Sequence, residues 1–268
     1  MTIPASSTAL VTGASTGIGA IYADRLARRG HDLILVARDT ARLEDLAARL
    51  RAQTGRKIEV LTADLTDPAH LTLVAETIAK APDFGLLVNN AGMSLTGTLT
   101  TSPEASVAQM IALNVTAPAL LARAAGIRLG AAGAGAIINI ASVLALVPEM
   151  LDGTYSATKA FILNLSQGLA HELGPRGVHV QAVLPGATRT EIWARSGKDI
   201  DAFPAEMVMD AGDLVDAALV GLDRGETVTI PPLADEADWL AMQAARRALG
   251  PQLSRRDVAR RYAEVVRA

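Results

Sequence analysis

Tyr155 and Lys159 stand four residues apart in the stretch YSATK, and the chain has only three tyrosines to spend. A free phenol with a pKa of about 10 is a poor base at neutral pH. A nearby ammonium stabilises phenolate and draws that value toward the working range. Positions i and i+4 of a helix share a face, so both groups could address one cavity. Such a pair could pass a proton to or from an oxygen on which charge grows. The same spacing also suits two side chains packed at a helix surface, so the pair acquires meaning only with company.

A second cluster supplies it. TGASTGIG, Thr12 to Gly19, follows an apolar run and precedes a helical pattern. Gly13, Gly17 and Gly19 would let the backbone turn tightly and come close to a pyrophosphate, and the helix N-terminus offers free N–H groups and a favourable dipole. About twenty residues on, the second strand ends in LVARD. An acid at that point would bind the ribose 2′-hydroxyl of NAD, whereas an arginine accommodates the 2′-phosphate of NADP. Ala37 occupies the acid's place and Arg38 follows it, so NADP(H) is favoured, with NAD(H) the rival. Asp39 reads as the N-cap of the next helix.

Elements capable of holding these groups recur along the chain. Short apolar runs (TALVTG, DLILVAR, KIEVLTADL, GLLVNNAG, AIINIAS, VHVQAVLPG) alternate with longer amphipathic stretches. Runs apolar at nearly every position suit strands buried on both faces, so the pattern predicts a doubly wound α/β fold: one mainly parallel sheet with helices on both faces. Ligands of such folds bind beyond the carboxyl ends of the strands, where Gly13, Arg38, Asp64, Asn90, Ser142 and Pro185 fall. A single domain over residues 1–268 is expected, with a lid at about 186–212 and a C-terminal extension at about 233–268. A last strand is expected in ETVTIP and a further helix beyond Leu233.

Composition narrows the function classes. Half of the 268 residues are hydrophobic, a fifth are charged and the net charge is −3. That is a globular profile with no global attraction to nucleic acid or to acidic membranes. With no cysteine, disulfides and thiol chemistry are excluded, and the four histidines show no metal-ligand spacing, so no metal is expected. Leu129–Pro148 carries no charge over about the length of a membrane span, but its glycines, Asn139 and Ser142 fit a buried strand with flanking loops better. The N-terminus has no basic n-region, which predicts no signal peptide and a cytoplasmic protein. The tail's Arg246, Arg247, Arg255, Arg256, Arg260 and Arg261 are interspersed with Asp257 and Glu264, as in a solvated face or a subunit contact.

Taken together, TGASTGIG, NNAG at Asn89–Gly92, Asn114 in LNV, Ser142 in NIAS, YSATK, and PGATRT at Pro185–Thr190 resemble the short-chain dehydrogenases/reductases in their short form, over roughly the first 190 residues. The resemblance implies a Rossmann-type fold and hydride transfer between NADP(H) and a carbonyl or secondary alcohol. It casts Tyr155 as general acid and base, and Lys159 as the residue that binds the nicotinamide ribose and lowers the tyrosine pKa. Ser142 would hydrogen-bond the substrate carbonyl, and Asn114 would hold a water linking Lys159 to solvent. The cofactor would lie along Gly13, Ser15, Thr16, Gly17, Ile18, Gly19, Arg38, Asp64, Leu65, Asn90, Ala91, Gly92, Pro185, Gly186, Thr188 and Thr190. Thr16 departs from the pattern, since many NADP-dependent members carry a basic residue there. Substrate contacts are expected from Ser94, Leu144, Met150, Trp193, Phe203 and Met207, with Glu149 beside them. The resemblance further implies a homodimer or homotetramer through the helices around Ser106–Arg128 and Ser156–Leu173. Alternatives are an NAD-dependent alcohol dehydrogenase of the same family and a cofactor-binding sensor that catalyses nothing.

Overall fold

The computed structural model of the chain describes residues 6–150 and 152–263, so Glu264 of the tail lies outside the described residues. The chain forms two compact units, Met1–Pro231 and Pro232–Ala268.

The first unit is a seven-stranded, wholly parallel sheet. Its strands are β1 (Thr8–Thr12), β2 (Asp32–Ala37), β3 (Ile58–Thr62), β4 (Phe84–Asn89), β5 (Ala136–Ile140), β6 (His179–Val183) and β7 (Val228–Thr229). They lie in the order β3-β2-β1-β4-β5-β6-β7. The chain leaves β1 in one direction for β2 and β3 and returns to the other side with β4. The crevice at this reversal is where such sheets bind ligands. The expected last strand is only the dipeptide Val228–Thr229, paired to Ala182 and Val183.

Helices α1 (Gly17–Arg28), α2 (Thr40–Thr54) and α8 (Ala211–Arg224) belong with one face, and α3 (Pro68–Lys80), α4 (Glu104–Ile111), α5 (Ala117–Ala132) and α6 (Gly153–Leu173) complete the other. Strand β1 shows why its sequence is apolar throughout. Ala9 and Val11 enter the core cluster that includes Tyr22, Leu26, Leu43 and Leu222, while Leu10 enters the opposite cluster with Leu71, Val74 and Leu121. Each fully buried leucine contributes roughly 1.5–3 kcal/mol relative to exposure.

Aspartates start three of the helices around the sheet, α2, α3 and α6. Asp39 accepts from the Arg42 N–H at the start of α2, Asp67 from Ala69 and His70 in α3, and Asp152 from Thr154 in α6. Each such cap is worth about 1 kcal/mol and fixes where its helix begins. The uncharged Leu129–Pro148 stretch divides into the end of α5, strand β5 and two short 3-10 turns. The run that is long and apolar enough to cross a membrane is instead Glu104–Ala132, and α5 within it packs on β4 and β5.

A buried amide chain ties the second half of the sheet to its helices. Asn89 and Asn139 are register partners on β4 and β5. The Asn89 Nδ2 donates to Asn139 Oδ1 at 2.9 Å and to the Pro118 carbonyl at 3.1 Å, and Asn139 Nδ2 donates to Ser166 Oγ at 2.9 Å. In an interior of low dielectric these bonds favour one arrangement, although the buried Asn89 Oδ1 has no hydrogen-bond partner among the described residues. They set α5 and α6 at fixed heights against the strands.

Between β6 and α8 the chain runs through α7 (Ile192–Arg195) and 3-10 turns at Ile200–Ala202 and Ala205–Met207. These pieces occupy the segment expected as a lid at about 186–212. The second unit contains α9 (Glu236–Leu249), the expected helix beyond Leu233, and α10 (Arg260–Ala263). Its described arginines do not share one long helix: Arg246 and Arg247 end α9, Arg255 and Arg256 lie between helices, and Arg260 and Arg261 start α10.

Candidate active site

The glycine turn is built for close approach. Gly13 has φ +65, and a Cβ there would come within 2.8 Å of Asn90 Nδ2 and 2.9 Å of Ala91 Cα. A Cβ on Gly19 would collide with the Gly13 carbonyl and the Asn90 amide. Gly17 (φ +54) faces Thr190, which brings the end of the PGATRT segment against the turn. Asn90 Nδ2 donates to the Thr12 and Gly13 carbonyls, while the Thr12 hydroxyl accepts from the N–H groups of Asn90 and Ala91. The side chain of Asn90 therefore braces the turn. Ser15, Thr16 and Ile18 lie half-buried along it.

At the end of β2, Arg38 is 66% exposed, and the carboxylate it approaches is Asp64, at 3.9 Å. Asp64 is committed elsewhere: its Oδ1 accepts from the Thr66 N–H and hydroxyl. Burial pushes the Asp64 carboxyl up, but the two Thr66 bonds and then Arg38 outweigh it, and its pKa falls below the ordinary value. Arg38 thus presents a guanidinium without a close partner. The Leu65 side chain is buried in the core with Leu71 and Val74.

Lys159, Tyr155, Asn114 and Ser142 lie about the carboxyl ends of β4 and β5, where Gly92 comes close to both Asn114 and Lys159. Lys159 is buried on α6, and its Nζ donates to the Ile140 carbonyl at 2.9 Å. It lies 5.6 Å from the centre of the Tyr155 ring. Burial pulls the Lys159 pKa down from 10.5 to about 8. Burial also pushes the Tyr155 phenol above its ordinary value. The expected lowering by the ammonium is not what this structure shows. The cost of burying phenolate dominates, and the ammonium bonds a carbonyl rather than the phenol.

Asn114 sits in a π turn, Ala112–Thr116, between α4 and α5. Its Oδ1 accepts from the Met93 N–H at 2.9 Å, and its Nδ2 donates to the Met93 carbonyl and to Thr158 Oγ1. The side chain is thus fully used in pinning the β4–α4 connection and α6. Its main-chain carbonyl is placed differently. Residue 118 is proline, which has no N–H, so Asn114 loses its ordinary i+4 helical donor. Proline in that position also accounts for the π turn. Ser142 is buried at the end of β5, accepts from the Leu144 N–H and approaches the Pro185 carbonyl at 3.5 Å. The Ser156 hydroxyl donates to the Leu144 carbonyl at 2.7 Å and thereby fastens the start of α6 to the Ser142 turn.

The substrate-side expectations divide. The Trp193 and Phe203 rings pack edge to face at 5.1 Å, and the indole N–H donates to the Thr188 carbonyl. These two residues hold the lid segment together. Thr188 itself is buried and bridges to Met209, and Gly186 accepts from its hydroxyl. Leu144 is half-buried beside Ser142, and Ser94 accepts from Lys198 Nζ at 3.2 Å. Met150 and Met207 are 57% and 50% exposed, Glu149 is exposed, and none is drawn to the four polar groups. Sequence reasoning passed over Thr158, inside YSATK itself, and the Arg42–Glu191 ion pair that fastens α2 to the lid. The acceptor for the Asn114 amide stands one letter from the lysine; nothing local signals the second.

The residues fit a dinucleotide. A glycine cradle that side chains would fill leads to a buried ammonium with one of its three N–H groups used, and an exposed guanidinium held, among the described residues, only by a long ion pair stands at the end of β2. Fold and site define a dinucleotide-dependent oxidoreductase. The sequence pattern of the family described as short chain dehydrogenase matches residues 7–201, and the chain belongs to that family. A short-chain dehydrogenase from Sphingobium yanoikuyae, solved in complex with NADPH, is 52% identical. The match covers 96% of this chain and 99% of that one, with a TM-score of 0.93. A bulky-bulky ketone specific alcohol dehydrogenase from Comamonas testosteroni is 46% identical over 97% of this chain and 100% of its own, with a TM-score of 0.89. An uncharacterized oxidoreductase of Staphylococcus saprophyticus is 33% identical over 83% of this chain and 93% of its own length.

Proposed function

We propose that the protein is an NADP(H)-dependent carbonyl reductase that interconverts bulky ketones and their secondary alcohols in the cytoplasm. The observation that carries the reading is the buried Lys159 beside Tyr155, bonded to the carbonyl at the end of β5 two residues before Ser142, in a chain whose glycine turn admits no side chain and whose exposed Arg38 has, among the described residues, only a 3.9 Å ion pair with Asp64. Similarity to an NADPH complex and to a bulky-ketone dehydrogenase supports the cofactor and the substrate class.

Bound NADPH supplies the hydride; the chain's own residues do the rest. Arg38 would hold the 2′-phosphate of the bound cofactor, and Lys159, with donors left beyond its bond to Ile140, would bind the nicotinamide ribose. Tyr155 is protonated at neutral pH because burial disfavours phenolate, and it gives that proton to the carbonyl oxygen. Ser142 donates a hydrogen bond to the same oxygen. The Asn114 carbonyl, without a donor from Pro118, offers a water a place from which Lys159 reaches solvent. Trp193, Phe203 and Leu144 supply apolar surface on the substrate side.

The protein works as an oligomer in this reading. Leu120 and Ile127 on α5 and Phe161 on α6 are exposed, and an apolar groove runs between α3 and α5. The test of the reading is initial-rate consumption of NADPH and of NADH against aryl and branched ketones. Turnover of bulky ketones with NADPH supports it. Turnover with NADH alone, or with neither, defeats it.

A further inference from the structure

The lid carries three cations, and they are treated differently. Arg189 pairs with Asp201 at 2.8 Å, and Arg195 pairs with Glu191 at 2.7 Å. Lys198 is half-buried, its Nζ rests 3.2 Å from Ser94 Oγ, and among the described residues no carboxylate lies within ion-pair distance of it.

Its position is fixed by the backbone. Helix α7 ends in a Schellman motif: Gly197, with φ +66, donates its N–H to the Ala194 carbonyl, and Lys198 donates its own to the Trp193 carbonyl. A Cβ on Gly197 would lie 3.1 Å from Thr96, so this turn sits directly on the β4–α4 connection. The same connection reaches the reacting groups two residues earlier. A Cβ on Gly92 would lie 3.4 Å from Asn114 Oδ1 and 3.6 Å from Lys159 Nζ, and Met93 is held by Asn114 on both sides of its peptide. Ser94 therefore lies next along the chain from the reacting centre, and Lys198 is carried to it by a rigid turn.

A half-buried ammonium whose one partner is a neutral hydroxyl retains unused donors and an uncompensated charge. We infer that Lys198 binds an anionic group of the substrate, so that the enzyme favours ketones bearing a carboxylate some bonds away from the carbonyl. The inference rests on the carbonyl-reductase reading and names the chemistry at the far end of the same cleft. Trp193 and Phe203 cover the apolar middle of the molecule, and Ser94 shares the carboxylate with Lys198.

The test is a series of methyl-ketone carboxylates, 4-oxopentanoate to 7-oxooctanoate, each beside its methyl ester, with NADPH. The acid-to-ester ratio of kcat/KM within one protein cancels any general loss of activity. The wild type is expected to show an acid preference of about tenfold or more at one chain length, the size of a charge-assisted hydrogen bond. In K198M that ratio collapses to about one or below, and in K198R it is largely kept. Ester turnover without acid preference at any length overturns the inference and leaves the carbonyl-reductase reading standing. So does a preference unchanged in K198M. If K198M instead raises KM for NADPH and leaves the ratio alone, the lysine serves the cofactor and the inference fails. No turnover of acids or esters by a wild type that still reduces aryl ketones overturns the inference and leaves the carbonyl-reductase reading standing; no turnover of the aryl ketones either defeats both.

Discussion

Replacing Lys159 by methionine should stabilise the protein without cofactor at neutral pH while abolishing turnover. Burial lowers the Lys159 pKa from 10.5 to about 8. At roughly 1.4 kcal/mol per pKa unit, holding that side chain ionised in the fold costs about 3 kcal/mol at pH 7. Methionine removes this cost but loses the charged bond to the Ile140 carbonyl, worth about 1.5–3 kcal/mol. The net gain is about 0–2 kcal/mol, or a rise in Tm of up to roughly 6 °C for a chain of this size. The pH dependence gives the sign. Between pH 8 and 10.5 the unfolded chain still holds the proton and the folded chain has released it, so wild-type stability rises with pH across that window. K159M lacks this rise. Thermal melts of both proteins from pH 7 to 10.5, without cofactor, should show the variant's advantage shrinking to nothing or reversing. A variant that melts lower at pH 7, by an amount constant with pH, would refute the claim that burial strains this lysine.

Further outcomes follow from the same geometry. Arg38→Ala should weaken NADPH binding by roughly 10–100-fold relative to NADH, the cost of losing charged hydrogen bonds, as read by fluorescence titration. Thr158→Val should remove the hydroxyl that accepts from Asn114, lower Tm by a few degrees and reduce kcat more than it changes NADPH affinity. The oxidising direction needs the Tyr155 phenolate, so alcohol oxidation should climb with pH up to the limit of stability, as initial rates would show. Light scattering should give a dimer or larger, and Leu120→Asp with Ile127→Asp should reduce it to a monomer.

The parts legible in the sequence are those written locally. The glycine turn, the capping aspartates and the doubly apolar strands each declare themselves within ten residues, and the fold follows from their alternation. Arg38 was readable because it occupies a fixed place after β2. The electrostatic state of Tyr155 and Lys159 was not, because spacing shows that two groups share a face but not that Lys159 is buried and Tyr155 half-buried beside it. The short β7 reflects how little of ETVTIP the sheet edge pairs, which depends on β6. The contacts of Lys198 with Ser94 and of Arg42 with Glu191 join residues more than a hundred positions apart, and each alone reads as a solvated charge.

The most direct test of the account is NADPH oxidation with a bulky aryl ketone by the wild type and by Tyr155→Phe. The account predicts a loss of roughly 10²–10⁴-fold or more in kcat with NADPH still bound at near wild-type affinity. A variant that keeps turnover within tenfold of wild type would show that the proton comes from elsewhere and would contradict the central assignment.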